Sequence, residues 1–130
     1  MRVSGGFLKN RPLSSPKKGC KTRPTSEKLR QALFNIIGPQ TEGLLFLDLF
    51  AGSGSMGIEA LSRGFFHATF VEKEGLALKC LNDNIKNLNL YAHATVMPFH
   101  VLHSLKKLEK RVLKEENKLY PLVLEKLIRS

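Results

Sequence analysis

Leu44-Leu45-Phe46-Leu47-Asp48-Leu49-Phe50-Ala51-Gly52-Ser53-Gly54-Ser55-Met56-Gly57 is the stretch whose reading decides the fold. Its first seven residues form an apolar run broken by one carboxylate and lacking alternation, as expected of a strand buried on both faces of a parallel sheet. The glycines that follow have the spacing G-x-G-x-x-G, which belongs at a strand-to-helix turn and lets backbone approach a ligand closely. A short helix from Ser55 to Arg63 is expected next, ending at Gly64.

Working outward, His67 to Glu72 reads as a second strand. Gly75 to Leu88 reads as a helix striped by Ala77, Leu81, Ile85 and Leu88, and Ala94 to Met97 as a third strand. Upstream, Thr25 is the expected N-cap of a helix running from Ser26 to Ile37, with Leu29, Ala32, Leu33, Ile36 and Ile37 as its apolar stripe. Gly38-Pro39 stops that helix. Strand, helix, strand, helix, strand predicts an α/β, Rossmann-like, doubly wound parallel sheet whose ligand lies at the carboxyl ends of the strands. Beyond Pro98 the pattern is partly helical, with a final helix expected from Pro121 to Arg129.

The 130 residues suffice for one domain with a real core, and 42% hydrophobic with 25% charged residues is an ordinary globular composition. Two cysteines, Cys20 and Cys80, are too few for a disulfide framework and point to a reducing compartment. The longest uncharged run, 87–105, contains three histidines, two asparagines and a proline, so no membrane span is expected. The opening residues lack the apolar stretch of a secretory signal, and the chain reads as cytoplasmic.

Charge is unevenly distributed along the chain. Of 21 basic and 11 acidic side chains, nine basic ones (Arg2, Lys9, Arg11, Lys17, Lys18, Lys21, Arg23, Lys28 and Arg30) lie in the first 30 residues with only Glu27 against them. The remaining hundred residues hold 12 basic and 10 acidic. A basic segment on a nearly neutral domain suits a polyanion, since each neutralised phosphate releases a condensed counterion. Residues 1–24 are therefore expected to form a basic nucleic-acid-binding arm, the plainer alternative being a soluble terminus, with bends at Gly5-Gly6 and Asn10-Arg11-Pro12 that would make a hairpin. Residues 25–130 are expected to form the ligand-binding domain.

Two carboxylates identify the ligand class. Glu72 lies 20 residues after Gly52, at the tip of strand two, where an acid can accept both hydroxyls of a ribose. Asp48 lies four residues before Gly52, at the end of strand one in the same crevice. A carboxylate there would repel the pyrophosphate of NAD but attract the ammonium and sulfonium of S-adenosylmethionine. The candidate cofactor-binding residues are Asp48, Phe50, Ala51, Gly52, Ser53, Gly54, Glu72 and Lys73; the candidate RNA-binding residues are Arg2, Lys9, Arg11, Lys17, Lys18, Lys21 and Arg23. No metal site is expected, because His100-x-x-His103 has no further ligand nearby in sequence.

Arg23-Pro24-Thr25-Ser26 leading into Ala32-Leu33-Phe34-Asn35-Ile36, the run Leu47 to Gly54, Gly57-Ile58-Glu59-Ala60-Leu61-Ser62-Arg63-Gly64 and Phe70-Val71-Glu72-Lys73 together resemble the bacterial small-subunit ribosomal RNA guanine-N2 methyltransferases of the RsmD family. The resemblance spans about residues 1–90. It implies a class I methyltransferase sheet and transfer of a methyl group from S-adenosylmethionine to the exocyclic amine of a guanine in 16S ribosomal RNA, alone or within the small subunit. It also implies that Asp48, Ala51, Gly52 and Gly54 line the methionine side of the cofactor and that Glu72 holds the ribose.

The sequence departs from that family after residue 90. The family's Asp-Pro-Pro-Tyr or Asp-Pro-Pro-Phe motif at the end of strand four is absent, and Pro98 and Pro121 stand singly. Met97-Pro98-Phe99 supplies no carboxylate or amide and reads as core or turn. His100 stands where the family has Asp or Asn near the adenine. The sheet is therefore expected to be incomplete, with the catalytic segment and final strands missing from these 130 residues, and no catalytic residue is assigned. Three other readings stay open: a catalytically silent RNA- or ribosome-binding remnant of the same fold, a DNA adenine methyltransferase and an NAD-dependent oxidoreductase.

Overall fold

The computed structural model describes residues 1–16, 26–99, 103 and 106. In chain order these form α1 (Glu27–Ile37), β1 (Leu45–Asp48), α2 (Ser55–Ser62), β2 (His67–Val71), α3 (Gly75–Asn87), a single 3-10 turn (Tyr91–His93) and β3 (Ala94–Met97). The strands make one parallel α/β sheet in the order β1-β2-β3, with Leu45 beside His67 and Ala68 beside Ala94. Among the described residues no helix is long and apolar enough to cross a membrane. The expected helix at 121–129, the Thr25 cap and Cys20 lie outside the described residues, while Cys80 is half-buried.

Both β1 and β2 end where a side-chain carboxylate turns the chain. Asp48 Oδ1 accepts the Phe50 N–H at 3.2 Å, so Leu49 and Phe50 leave the strand in which the apolar run had placed them. One position past β2, Glu72 Oε2 accepts the Lys73 and Glu74 N–H groups at 3.0 and 2.9 Å. An acceptor that captures amides one or two residues ahead offers the backbone an alternative to the ladder. The same device caps α3, where the Glu74 carboxylate accepts from Leu76 and Ala77.

The stripe read on α3 is the buried one: Ala77, Leu81, Ile85 and Leu88 all enter the core. On α1 the expected stripe is not the buried face. Leu29 and Ile36 are 61% and 76% exposed, Ala32 is exposed, and only Leu33 and Ile37 are partly covered. The face turned inward carries Arg30 and Phe34. Phe34 meets Phe46 and Phe65 with ring centroids 5.9 and 6.1 Å apart, and Phe46 and Phe65 stack edge to face at 5.6 Å. Arg30 meets Glu59 of α2, and both are fully buried, with Arg30 Nε 3.4 Å from Oε1. An aromatic trio and a desolvated ion pair therefore set the rotation of α1, and the aliphatic count does not. The N-cap is Ser26, whose hydroxyl accepts the Leu29 N–H.

Glu59 also ties down the amino-terminal segment. Its Oε1 accepts the Ser4 N–H and the Ser4 hydroxyl at 2.9 and 2.8 Å, and its Oε2 accepts Arg63 Nε at 2.6 Å. Residues 1–13 close on themselves: Val3 N–H donates to Arg11 O, Asn10 N–H to Val3 O and Leu13 N–H to Met1 O. Gly6 and Asn10, at φ of 81° and 70°, take the left-handed positions of the bend, while Pro12 bridges Arg2. A side chain at Gly6 would run into the Ser62 carbonyl. Val3, Leu8 and Leu13 are buried in the same core as the sheet, so this segment is part of the domain's packing.

Substituting Glu59→Gln removes a buried anion and leaves Arg30 uncompensated, which is expected to cost about 3 kcal/mol or more. Urea unfolding checks this. The midpoint should drop well below that of the parent, and an unchanged midpoint would refute the role given to Glu59.

Candidate functional site

The carboxyl ends of β1 and β2 lie side by side, and the loop between β1 and α2 runs against them. That loop is held from three sides: Ala51 N–H donates to Val71 O at 3.0 Å, Gly54 N–H to Ala51 O at 2.8 Å and Gly52 N–H to Glu72 Oε1 at 2.8 Å. Helix α2 starts directly behind it. Its N-cap is Gly54, which has no side chain to cap the amides of the first turn, so that end carries the positive pole of the helix.

The three glycines do different work. Gly52 has φ of 55°, and a Cβ there would meet open space. At Gly54, φ 88°, a Cβ would strike the Leu81 side chain of α3, and at Gly57 it would enter the Phe70 ring of β2. The sequence pattern suggested close approach to a ligand along the whole loop. Instead only Gly52 borders open space, and the later two let α2 pack against the sheet and α3.

The two acids share a crevice but not an environment. Asp48 is buried; its Oδ1 is occupied by Phe50 N–H, and its Oδ2 has no hydrogen-bond partner among the described residues. Burial pushes its carboxyl up from 3.8 to about 6; the Phe50 N–H opposes the rise, and the nearby Glu72 charge adds to it. Glu72, equally buried, accepts three backbone amides: Gly52 on Oε1, Lys73 and Glu74 on Oε2. A carboxylate has about four acceptor positions, so one remains, on Oε1. The expectation that Glu72 takes both ribose hydroxyls meets this limit. With the glycine loop still held, room is left for one further donor.

The other candidates fall around this pair. Ala51 and Ser53 are buried in the loop, Gly52 is half-buried, and Lys73 and Phe50 are exposed, Phe50 at 79%. Arg2, Lys9 and Arg11 are exposed on the folded amino-terminal segment, with Arg2 Nη1 donating to Asn10 O at 3.1 Å. Lys17, Lys18, Lys21, Arg23 and His100 lie outside the described residues. Met97 is buried and Pro98 exposed, and the Phe99 ring meets His103 edge-on at 5.0 Å. Among the described residues no group of three or more His, Cys, Asp or Glu could hold a metal.

Sequence reading missed Asn84. Its carboxamide is 2% exposed, inside the α3 stripe, and bonds to Ser14 and to Ser53. The available signal was its spacing: positions 77, 81, 84, 85 and 88 share one helical face, so a polar residue at 84 had to be satisfied in the core. Arg30 and Glu59 carried a similar signal, being opposite charges at core-facing positions of successive helices.

This geometry has close counterparts. YlbH of Bacillus subtilis strain 168 is 49% identical over 96 residues, covering 74% of this chain and 52% of that protein. Ribosomal RNA small subunit methyltransferase D of Buchnera aphidicola is 38% identical over 105 residues, covering 81% of this chain and 54% of its own length. The chain thus spans about half the length of the curated relatives it matches. A solved hypothetical protein from Thermus thermophilus superposes with a TM-score of 0.73 at 33% identity, over 85% of this chain and 62% of that one. The C-terminal domain of precorrin-6Y C5,15-methyltransferase from Rhodobacter capsulatus, at 21% identity and a TM-score of 0.60 over 66% of this chain and 46% of that one, shares the fold. The model of the family described as Conserved hypothetical protein 95 matches residues 1–117. The chain belongs to that family, the RsmD family of methyltransferases that its glycine loop and Arg-Pro-Thr entry resemble.

Proposed function

We propose that this chain is the cofactor-binding and RNA-gripping part of a ribosomal RNA methyltransferase that modifies the N2 amine of a guanine in 16S RNA. The observation that carries the reading is Asp48 Oδ2, a buried carboxylate oxygen without a hydrogen-bond partner among the described residues, at the end of β1 beside an open glycine. Leaving such a group unpaired costs about 1–3 kcal/mol or more, which a cationic ligand reverses. The donor set fits S-adenosylmethionine from end to end. Asp48 would take its ammonium, the free amides at the start of α2 its carboxylate, and the last acceptor position of Glu72 a ribose hydroxyl. When bound, that cofactor supplies an electrophilic methyl group on a sulfonium. A diphosphate would have to lie against two carboxylates, which disfavours NAD.

The relatives' names support the substrate class, since ribosomal RNA small subunit methyltransferase D recurs among them. The basic amino-terminal segment supports RNA over a small substrate, with exposed Arg2, Lys9 and Arg11 and, further on, Lys17, Lys18, Lys21 and Arg23 as its phosphate contacts. The 130 residues contain no Asp-Pro-Pro-aromatic stretch, so cofactor and RNA binding are assigned to named residues here and the transfer step itself to none of them.

Calorimetry with S-adenosylhomocysteine, S-adenosylmethionine and NAD tests the cofactor. The first two should bind and NAD should not; the reverse overturns the reading. Radiolabelled methyl transfer to naked 16S RNA, assembled small subunits and DNA, followed by nucleoside analysis, tests the substrate and the N2 position.

Asp48 makes the affinity pH-dependent. Its carboxyl must be ionised to hold an ammonium, so S-adenosylhomocysteine binding should weaken about tenfold from pH 7 to pH 5 in the parent and lose this dependence in Asp48→Asn. Stability should move the other way. A folded-state value of about 6 against 3.8 unfolded means that the folded chain holds the proton more tightly, so stability falls as pH rises through that window. Asp48→Asn should therefore gain about 2–3 kcal/mol at pH 7.5 and nothing near pH 4, as read by urea unfolding at both pH values. Glu72→Gln, whose amide cannot accept all three backbone N–H groups, should bind the same ligand at least about tenfold more weakly.

The RNA segment is read through salt. Replacing Lys17, Lys18 and Lys21 with Ala should flatten the slope of log affinity for 16S RNA against log salt by about 2, with S-adenosylhomocysteine affinity in the absence of RNA unchanged. An unaltered slope would remove these lysines from the RNA interface.

A further inference from the structure

Asn84 is the one side chain that bonds both the amino-terminal segment and the glycine loop among the described residues. Its Oδ1 accepts the Ser14 N–H at 2.7 Å, and its Nδ2 donates to Ser14 O at 3.0 Å and to Ser53 O at 2.9 Å. The pairing with Ser14 is two-pronged, donor to acceptor and acceptor to donor, like one rung of a strand ladder. Ser53 sits between Gly52 and Gly54, both left-handed, at the point of the loop with least conformational restraint of its own. Ser14 lies three residues before Lys17 in the basic stretch.

We infer that Asn84 is a positioning residue that couples RNA capture by the amino-terminal segment to cofactor capture by the glycine loop. The inference rests on the function proposed above. A carboxamide is planar and rigid, and this one is enclosed, so no water is at hand to replace a lost partner. The orientation that satisfies both prongs on Ser14 also aims the second Nδ2 hydrogen at Ser53. Phosphates that fix the segment against α3 therefore fix the amide, and the amide fixes Ser53 O, which pre-orders the loop whose Gly52 and Asp48 flank the cofactor. An ordered loop has less freedom to lose when the cofactor arrives. The linkage is reciprocal: bound cofactor holds Ser53, hence Asn84, hence Ser14, and RNA meets a segment already in place.

The experiment measures S-adenosylhomocysteine affinity by calorimetry, with and without a saturating 16S RNA transcript, and the transcript's affinity with and without saturating S-adenosylhomocysteine. In the parent chain each ligand should tighten the other by the same factor, at least about fivefold. In Asn84→Leu the factor should fall to about one. Ser14→Pro, at an exposed position, keeps the Asn84 side chain in place but removes the Ser14 N–H that its Oδ1 accepts, and should also abolish the factor, with each ligand still binding alone. Loss of stability alone would weaken the individual affinities and leave their ratio intact. A parent chain that binds both ligands with a factor of one, or a Ser14→Pro chain that keeps the parent's factor, overturns the inference and leaves the cofactor assignment standing. A parent chain that binds the transcript but not S-adenosylhomocysteine overturns both.

Discussion

A single buried carboxylate holds the amino-terminal half of this domain together. Glu59 is wholly enclosed, yet four groups from three parts of the chain converge on it: the Ser4 amide and hydroxyl, Arg30 from α1 and Arg63 from the end of its own helix. Burying a charge is tolerable only when it is paired and hydrogen-bonded, and Glu59 satisfies that condition by recruiting segments otherwise free to move. Arg30 in turn donates Nη2 to the Arg2 carbonyl, and Arg63 lies over the Phe34 ring, 5.4 Å from its centroid. The ion cluster and the Phe34, Phe46, Phe65 trio are thus joined, and together they fix how α1 and the first residues lie against α2 and β1.

The parts of the fold legible in the sequence were those decided by near neighbours. Strand β3 and the α3 stripe follow from local pattern, and the turns after Asp48 and Glu72 lie at strand ends that the apolar runs mark out. The rotation of α1 was not legible, because it is set by partners from Ser4 to Phe65 and by a charge pair that hydropathy counts as surface. The same holds within the site. Asp48 and Glu72 were found because both stand at a strand end next to the glycine loop. Asn84 was overlooked because its partners lie 70 and 31 residues away. A polar residue within an apolar helical face is the trace that such long-range bonds leave in a sequence.

Asp48 and Glu72 show how two carboxylates of equal burial take opposite parts. Glu72 is nearly saturated by backbone amides and shapes the glycine loop. Asp48 has one oxygen bonded and one left bare in a desolvated setting, an arrangement that opposes stability and favours a cation. Strain of this kind persists where function requires it, with the rest of the structure bearing the cost. Gly54 and Gly57 are spent on packing α2 against Leu81 and Phe70, which holds the start of that helix close behind the loop.

The inward-folded amino end has a practical corollary for anyone handling this protein. Val3 is wholly enclosed, the Met1 carbonyl is bonded to Leu13 and Ser4 sits on Glu59, so two of the first four residues are buried and the stretch is tied into the molecule. A shortened version beginning at residue 5 would take two donors from an enclosed anion and open a hole in the core where Val3 now sits.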